Sequence, residues 1–143
     1  MTDTKQPIEV KLVTEIRDSA QRETIAIESS GMKYMKNDAL FLTFDEEIEG
    51  AGKVKTIMKL NEQELYIMRS GAVSMRQTFQ KGEETSGVYQ SPYGAMQMKT
   101  NTERISYQFD ERSKKGKLDI AYRLSMQGEE AGRHRLTLTF KEV

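Results

Sequence analysis

The chain holds one histidine, His134, and no cysteine. A zinc centre draws on several His or Cys ligands, and the chain cannot supply them. A Ser-His-Asp arrangement needs a sharply turned nucleophile, and no stretch carries that signature. His134 stands in "GRHRLT" between Arg133 and Arg135. That context predicts a surface histidine at the start of a strand, kept neutral by its charged neighbours. Acid–base chemistry would fall to Tyr, Arg, Lys or carboxylates with shifted pKa values. No pair of them is singled out by spacing. The question of an enzyme stays open, with the balance against one; no catalytic residue, metal ligand or cofactor is expected.

Three further runs could touch ligands. "EGAGKVKT" at 49–56 resembles part of a phosphate loop, but the position five before Gly52 is Glu47 and Lys53 precedes Val54. The Walker spacing fails, and the run is expected to form a glycine hairpin tip. "DEEIEG" at 45–50 lacks the alternate-position ligands of a calcium loop and is expected to be a solvated hairpin rim. "RSKKGK" at 112–117 has no interleaved aromatics and is expected to be a solvated turn. Lys plus Arg number 22 and Asp plus Glu 22. With zero net charge, no global field favours nucleic acid or an anionic membrane.

Binding residues are easier to nominate. In "ELYIMRSG", Arg69 shares a face with Leu65 and Ile67. If that face is interior, the guanidinium needs a partner: a ligand carboxylate, a Glu, carbonyls at a strand end or an aromatic face. Of nine methionines, Met58, Met75, Met96, Met98 and Met126 fall in strand-like runs. Methionine suits an adaptable apolar lining, and equally an irregular packed core. Tyr89 and Tyr93 flank a corner, and Tyr122 stands mid-strand. Arg69, Met75, Tyr89, Tyr93, Met96 and Tyr122 form the candidate ligand-binding set, at a barrel interior or its mouth.

The elements that would position these residues are strands. In "LDIAYRLSM", Leu118, Ile120, Tyr122, Leu124 and Met126 alternate with more polar residues, a period of two that a half-buried strand requires. "RLTLTF", "RISYQF" and "IEVKLVTEI" repeat the pattern. Polar turn signals interrupt it at short intervals, among them Ser29-Ser30-Gly31, Gly50-Ala51-Gly52 and Asn101-Thr102. Ser91-Pro92-Tyr93-Gly94 matches a type I turn position by position. The reading is all-β: one domain over residues 1–143, a single antiparallel meander barrel of about 8–10 strands. "ALFLTF" and "ELYIMRSG" carry apolar residues on both faces, so a terminal element or a second copy in a homodimer is expected to cover them. A chain free of cysteine, without a basic-then-apolar leader or a long apolar run, fits the cytoplasm.

The run Tyr89-Gln90-Ser91-Pro92-Tyr93-Gly94 resembles the Tyr-x-Thr/Ser-Pro-Tyr-Gly signature of the YwiB-like family. These are small bacterial uncharacterised β-barrels of lipocalin-like (calycin) fold. "MRSG", "QTFQKG" and "YRLSMQGE" resemble other strands of that family, so the likeness spans nearly the whole chain. Ser91 keeps a hydroxyl at the start of the turn. The resemblance implies a lipocalin/calycin-like barrel and carries over no activity. The Gly-x-Trp motif of true lipocalins has no counterpart, since the chain has no Trp. The functional expectation is a non-catalytic structural or protein-interaction module. The alternative is a binding protein for a small apolar or amphipathic ligand inside the barrel.

Overall fold

The computed structural model describes residues 4–19, 21–48, 50, 52–62 and 64–143. Ten strands run in chain order among them: β1 (Gln6–Asp18), β2 (Gln21–Lys36), β3 (Ala39–Ile48), β4 (Gly52–Asn61), β5 (Glu64–Gly71), β6 (Ser74–Gln80), β7 (Glu84–Ser91), β8 (Gly94–Asp110), β9 (Lys115–Met126) and β10 (Glu129–Glu142). Each pairs antiparallel with its chain neighbour, and β10 returns to β1, so the sheet closes into a barrel. The period-two pattern explains the core. Ile8, Val10 and Leu12 of β1 lie opposite Glu142, Phe140 and Leu138 of β10, and opposed residues share a face. Ile120 and Leu138 are fully buried within that lining.

The barrel is uneven. β1, β2, β8, β9 and β10 have 12 to 17 residues, whereas β3 to β7 have 7 to 10. β3 therefore meets β2 only over residues 31–36, and β7 meets β8 only over 94–101. β2 residues 21–30 and most of β8 beyond residue 102 outrun these short neighbours, at opposite ends of the barrel. The closed sheet is thus two unequal halves joined at diagonal corners.

Both corners were expected to be turns, and both lie inside long strands. Ser29-Ser30-Gly31 belongs to β2. A Cβ on Gly31 would run into the Thr43 carbonyl oxygen, so glycine lets β3 approach where β2 gains its second partner. Asn101-Thr102 belongs to β8, where the register shifts between Thr102 and Arg104. The β6–β7 turn seals that corner: the Gly82 N–H donates to the Thr102 carbonyl at 2.8 Å, and the Thr102 N–H to the Glu83 carbonyl at 3.2 Å. Small polar residues mark bulges and close approaches as well as turns. The corner at 91–94 is as read. Ser91 pairs with Gly94, the Ser91 hydroxyl accepts the Tyr93 N–H at 3.1 Å, and Gly94 takes φ +129°. The tip at 49–51 includes Glu49 and Ala51, which lie outside the described residues.

Strand alternation gives the barrel an upper end, with the turns at 37–38 and 111–114, and a lower end, with the turns at 92–93 and 127–128.

Candidate functional site

Near the lower end, register aligns Thr56, Arg69, Met75, Tyr89 and Met96 in one inward row across β4 to β8. Arg69 finds its partner one row lower. Its Nε donates to Glu46 Oε2 at 3.0 Å, and its Nη1 approaches the Met75 sulfur at 3.5 Å. The Thr56 hydroxyl donates to the same Glu46 oxygen. Thr56 is wholly buried and Glu46 is 9% exposed. Met75 is buried, while Tyr89 and Met96 are half-buried. Tyr122 comes from β9 and sets its ring edge-on to Phe79, centroids 4.9 Å apart. Burial pushes its hydroxyl pKa up to about 12, against a smaller opposite pull from the Arg69 charge. Five of the six nominated residues thus meet on the inner wall. Tyr93, at the tip of a two-residue turn, is 97% exposed and stands apart from them.

Two expectations are corrected here. The acidic run is not all rim: Asp45 and Glu47 are exposed, but Glu46 is buried. It continues the parity of Leu40, Leu42 and Phe44, and that parity was the signal that could have found it. His134 is half-buried rather than fully exposed, and it lines a surface cleft beside Arg17 and Arg133. It lies opposite Tyr122, stacks on that ring at 5.1 Å and reaches the Ala131 carbonyl with Nε2 at 3.0 Å. Its pKa is lowered by burial, with the Ala131 contact and the charge of Asp18 acting the other way.

The upper end holds a second inward charge pair, which the sequence reading missed. Lys33 Nζ lies 2.8 Å from Glu142 Oε2 and 3.8 Å from the centroid of Phe109. Phe140 stacks near Phe109, centroids 6.0 Å apart, over Gly116, where any Cβ would collide with the Phe140 ring. Tyr107 also stacks near Phe140, centroids 6.5 Å apart. Its pKa is pushed up to about 12, first by burial and then by the charges of Glu142 and Glu111.

Between the ends the interior is packed. Gln77 Nε2 donates to Thr100 Oγ1 at 2.9 Å, and the Thr102 hydroxyl is buried without a partner. Four open surface clefts range from about 240 to about 980 Å³, and none is lined by a residue of the Arg69 row. Among the described residues no group of His, Asp or Glu is arranged to hold a metal ion, and no helix is long and apolar enough to cross a membrane.

Two adjacent rows on the outer wall of β2 to β5 are mostly apolar, and the row below them is charged, with Asp45 opposite Lys55. Tyr34, Phe41, Lys59 and Tyr66 lie in register, as do Met32, Thr43, Ile57 and Met68. Tyr34 and Phe41 stack at 4.9 Å with an interplanar angle of 2°. Lys5 and Lys59 sit over these rings at 5.5 and 5.9 Å. Met32 is 39% exposed, and no described element covers the rows.

A family model described as "Domain of unknown function (DUF1934)" matches residues 10–138, a span that takes in the whole Arg69 row and stops short of Glu142. The chain is similar to the "Uncharacterized beta-barrel protein YwiB" of Bacillus subtilis (strain 168), 36% identical over 135 residues, or 94% of this chain and 93% of that one. Its fold is similar to the crystal structure of the ywiB protein from Bacillus subtilis, with a TM-score of 0.86 and 34% identity over 97% of this chain and 93% of that one.

Proposed function

From the premise that the chain belongs to the family described as a domain of unknown function (DUF1934), whose name assigns no activity, we propose a non-catalytic interaction module that docks a partner protein on the outer wall of β2 to β5. The observation that carries this is the pair of uncovered in-register rows, Tyr34-Phe41-Lys59-Tyr66 and Met32-Thr43-Ile57-Met68. Contiguous exposed apolar surface marks interaction sites on soluble proteins. The only charge within these rows is Lys59, and Arg76 extends the second row opposite Met68. The partner should therefore present apolar side chains rimmed by carboxylates. A second copy fits less well, because it brings the same cations and neither row holds a carboxylate to meet them.

A small apolar ligand inside the barrel is the less favoured reading. The charge that would hold a ligand carboxylate is Arg69, and Glu46 already meets it at 3.0 Å. The proposal puts the module in the cytoplasm of a bacterium. The cysteine-free composition supports this, as do the exposed charges along the outer faces of β1, β9 and β10, where a membrane barrel carries an apolar band. It also assigns the barrel to the calycin type on its up-and-down connectivity, with ten strands where lipocalins have eight.

The test is in-cell cross-linking in the native host, with mass-spectrometric identification, for the parent and for an Ile57→Glu/Met68→Glu variant. Both side chains face outward, but they are half-buried and lie directly opposite one another, so the two carboxylates should lower the thermal midpoint, and parent and variant are compared well below it. The variant should lose a cross-linked protein that the parent captures through this wall. A cross-link pattern unchanged by the variant defeats the reading. Light scattering that shows a parent dimer broken by the variant transfers the surface to a second copy.

A further inference from the structure

On the other half of the barrel the register builds an uninterrupted row of arginines. Arg22 of β2 lies opposite Arg17 of β1, Arg17 opposite Arg133 of β10, and Arg133 opposite Arg123 of β9. All four are exposed. Adjacent strands are roughly 4.8 Å apart, so the row spans about 14 Å. The next row adds Arg135 and Arg104 either side of Ala121. Six of the chain's nine arginines thus stand in two adjacent rows that hold no lysine. The lysines of the same wall, Lys11, Lys115, Lys117 and Lys141, lie nearer the upper end.

Like charges placed directly opposite one another across a sheet are destabilising. Some of this charge is answered: Arg133 pairs with Glu103, and Arg104 and Arg135 share Asp119. Among the described residues, Arg17, Arg22 and Arg123 have no carboxylate partner. Arg17, Arg22, Arg133 and Arg135 also border one concave site, a cleft of about 400 Å³. An arginine fork matches phosphate oxygens in bidentate geometry, which a lysine point charge does not.

We propose that this row is a binding site for a short oligophosphate anion. The occupant is small, because the row is four strands wide and carboxylates stand within and around it: Glu15, opposite Arg135, lines the same cleft with Glu23 and Glu103, and Glu130 lines the next one. A long polyanion would run off the row onto these acids. No aromatic side chain faces outward in the row to stack a base, so the phosphate chain alone is recognised. Free oligophosphate and the phosphate tail of a nucleotide share that chemistry.

The experiment is titration of the full chain at low ionic strength with inorganic tripolyphosphate, ATP and adenosine, followed by calorimetry and by the thermal midpoint. Tripolyphosphate should bind and raise the midpoint, and adenosine should do neither. Equal affinity for ATP and tripolyphosphate supports recognition of the phosphates alone. ATP binding at least tenfold tighter would overturn that part and make the nucleoside a determinant. Arg17→Gln/Arg123→Gln should weaken tripolyphosphate at least tenfold while leaving the unliganded midpoint equal or higher, because repulsion is relieved. Arg17→Lys/Arg123→Lys should recover only part of the affinity. Lys11→Gln/Lys117→Gln removes the same charge from the same wall and should change binding by less than twofold. No binding of tripolyphosphate, equal losses in the two Gln variants, or a lowered unliganded midpoint in Arg17→Gln/Arg123→Gln would overturn the site.

Discussion

The two inward ion pairs have the same nominal chemistry and nearly the same exposure. Side chains are 18% and 9% exposed for Arg69 and Glu46, and 17% and 18% for Lys33 and Glu142. They differ in what each cation keeps if its carboxylate is lost. Among the described residues, Arg69 would retain only the Met75 sulfur at 3.5 Å, a weak acceptor. Lys33 would retain the face of Phe109 at 3.8 Å and, more distantly, Phe140 at 5.5 Å. A ring face satisfies part of a cation's charge, and a lysine can also swing its ammonium toward solvent. A guanidinium wedged between Thr56 and Met75 has less room to do so. The lesson is that burial alone does not set the worth of a pair; the alternatives left to the survivor do.

Glu46→Leu should produce the largest effect. It strands the Arg69 guanidinium and removes the acceptor of the Thr56 hydroxyl, for a loss of about 3 kcal/mol in urea unfolding. The double variant Glu46→Leu/Arg69→Met should recover most of that loss, because an apolar pair of similar volume replaces a buried ion pair at little cost. If the double variant loses as much as the two single losses summed, the residues do not act as a pair. The comparison between the two ends would then break.

How much of this was legible depends on the range of the interaction. Alternation in β1, β9 and β10 is local, so strand identity, the barrel class and the burial of Met75 and Tyr122 could be read from spacing. Glu46 was legible too, from the parity of Phe44, and was misread because three neighbouring acids suggest solvent. Lys33 and Glu142 were not legible. They are 109 positions apart and meet only because closure sets β1 between β2 and β10. The arginine row has the same origin: Arg17, Arg22, Arg123 and Arg133 are unremarkable in the sequence and become a row only through three registers. Gly31 and Asn101 misled because a glycine where another backbone comes close looks like a turn, as does a polar bulge.

Glu142→Leu is the matching test at the upper end, with a smaller expected loss of about 1 kcal/mol, within the range of partly solvated pairs. Lys33 would stay over Phe109, and Tyr107 would lose one of the two charges that hold its pKa up. A spectroscopic titration of the phenols should show the Tyr107 transition moving down from about 12, while that of Tyr122, raised by burial and not by Glu142, stays put. A loss as large as that of Glu46→Leu would mean that the aromatic faces do nothing for the stranded lysine.

The smallest effect separates the ends by pH. The lower end holds His134, the only histidine, stacked on Tyr122 with its pKa lowered by burial. The folded protein therefore binds this proton less readily than the unfolded chain does. Its contribution is fully present above the ordinary value of 6.5. It is lost as pH falls from there toward the lower folded value, because the unfolded state takes up the proton first. Urea midpoints should fall gently between pH 7.5 and 5.5, and His134→Gln should flatten that segment whatever it does to the overall midpoint. The Lys33 end holds no histidine, so Glu142→Leu should leave the slope unchanged. A slope that survives His134→Gln would assign the pH response to carboxylates elsewhere and remove this distinction between the two ends.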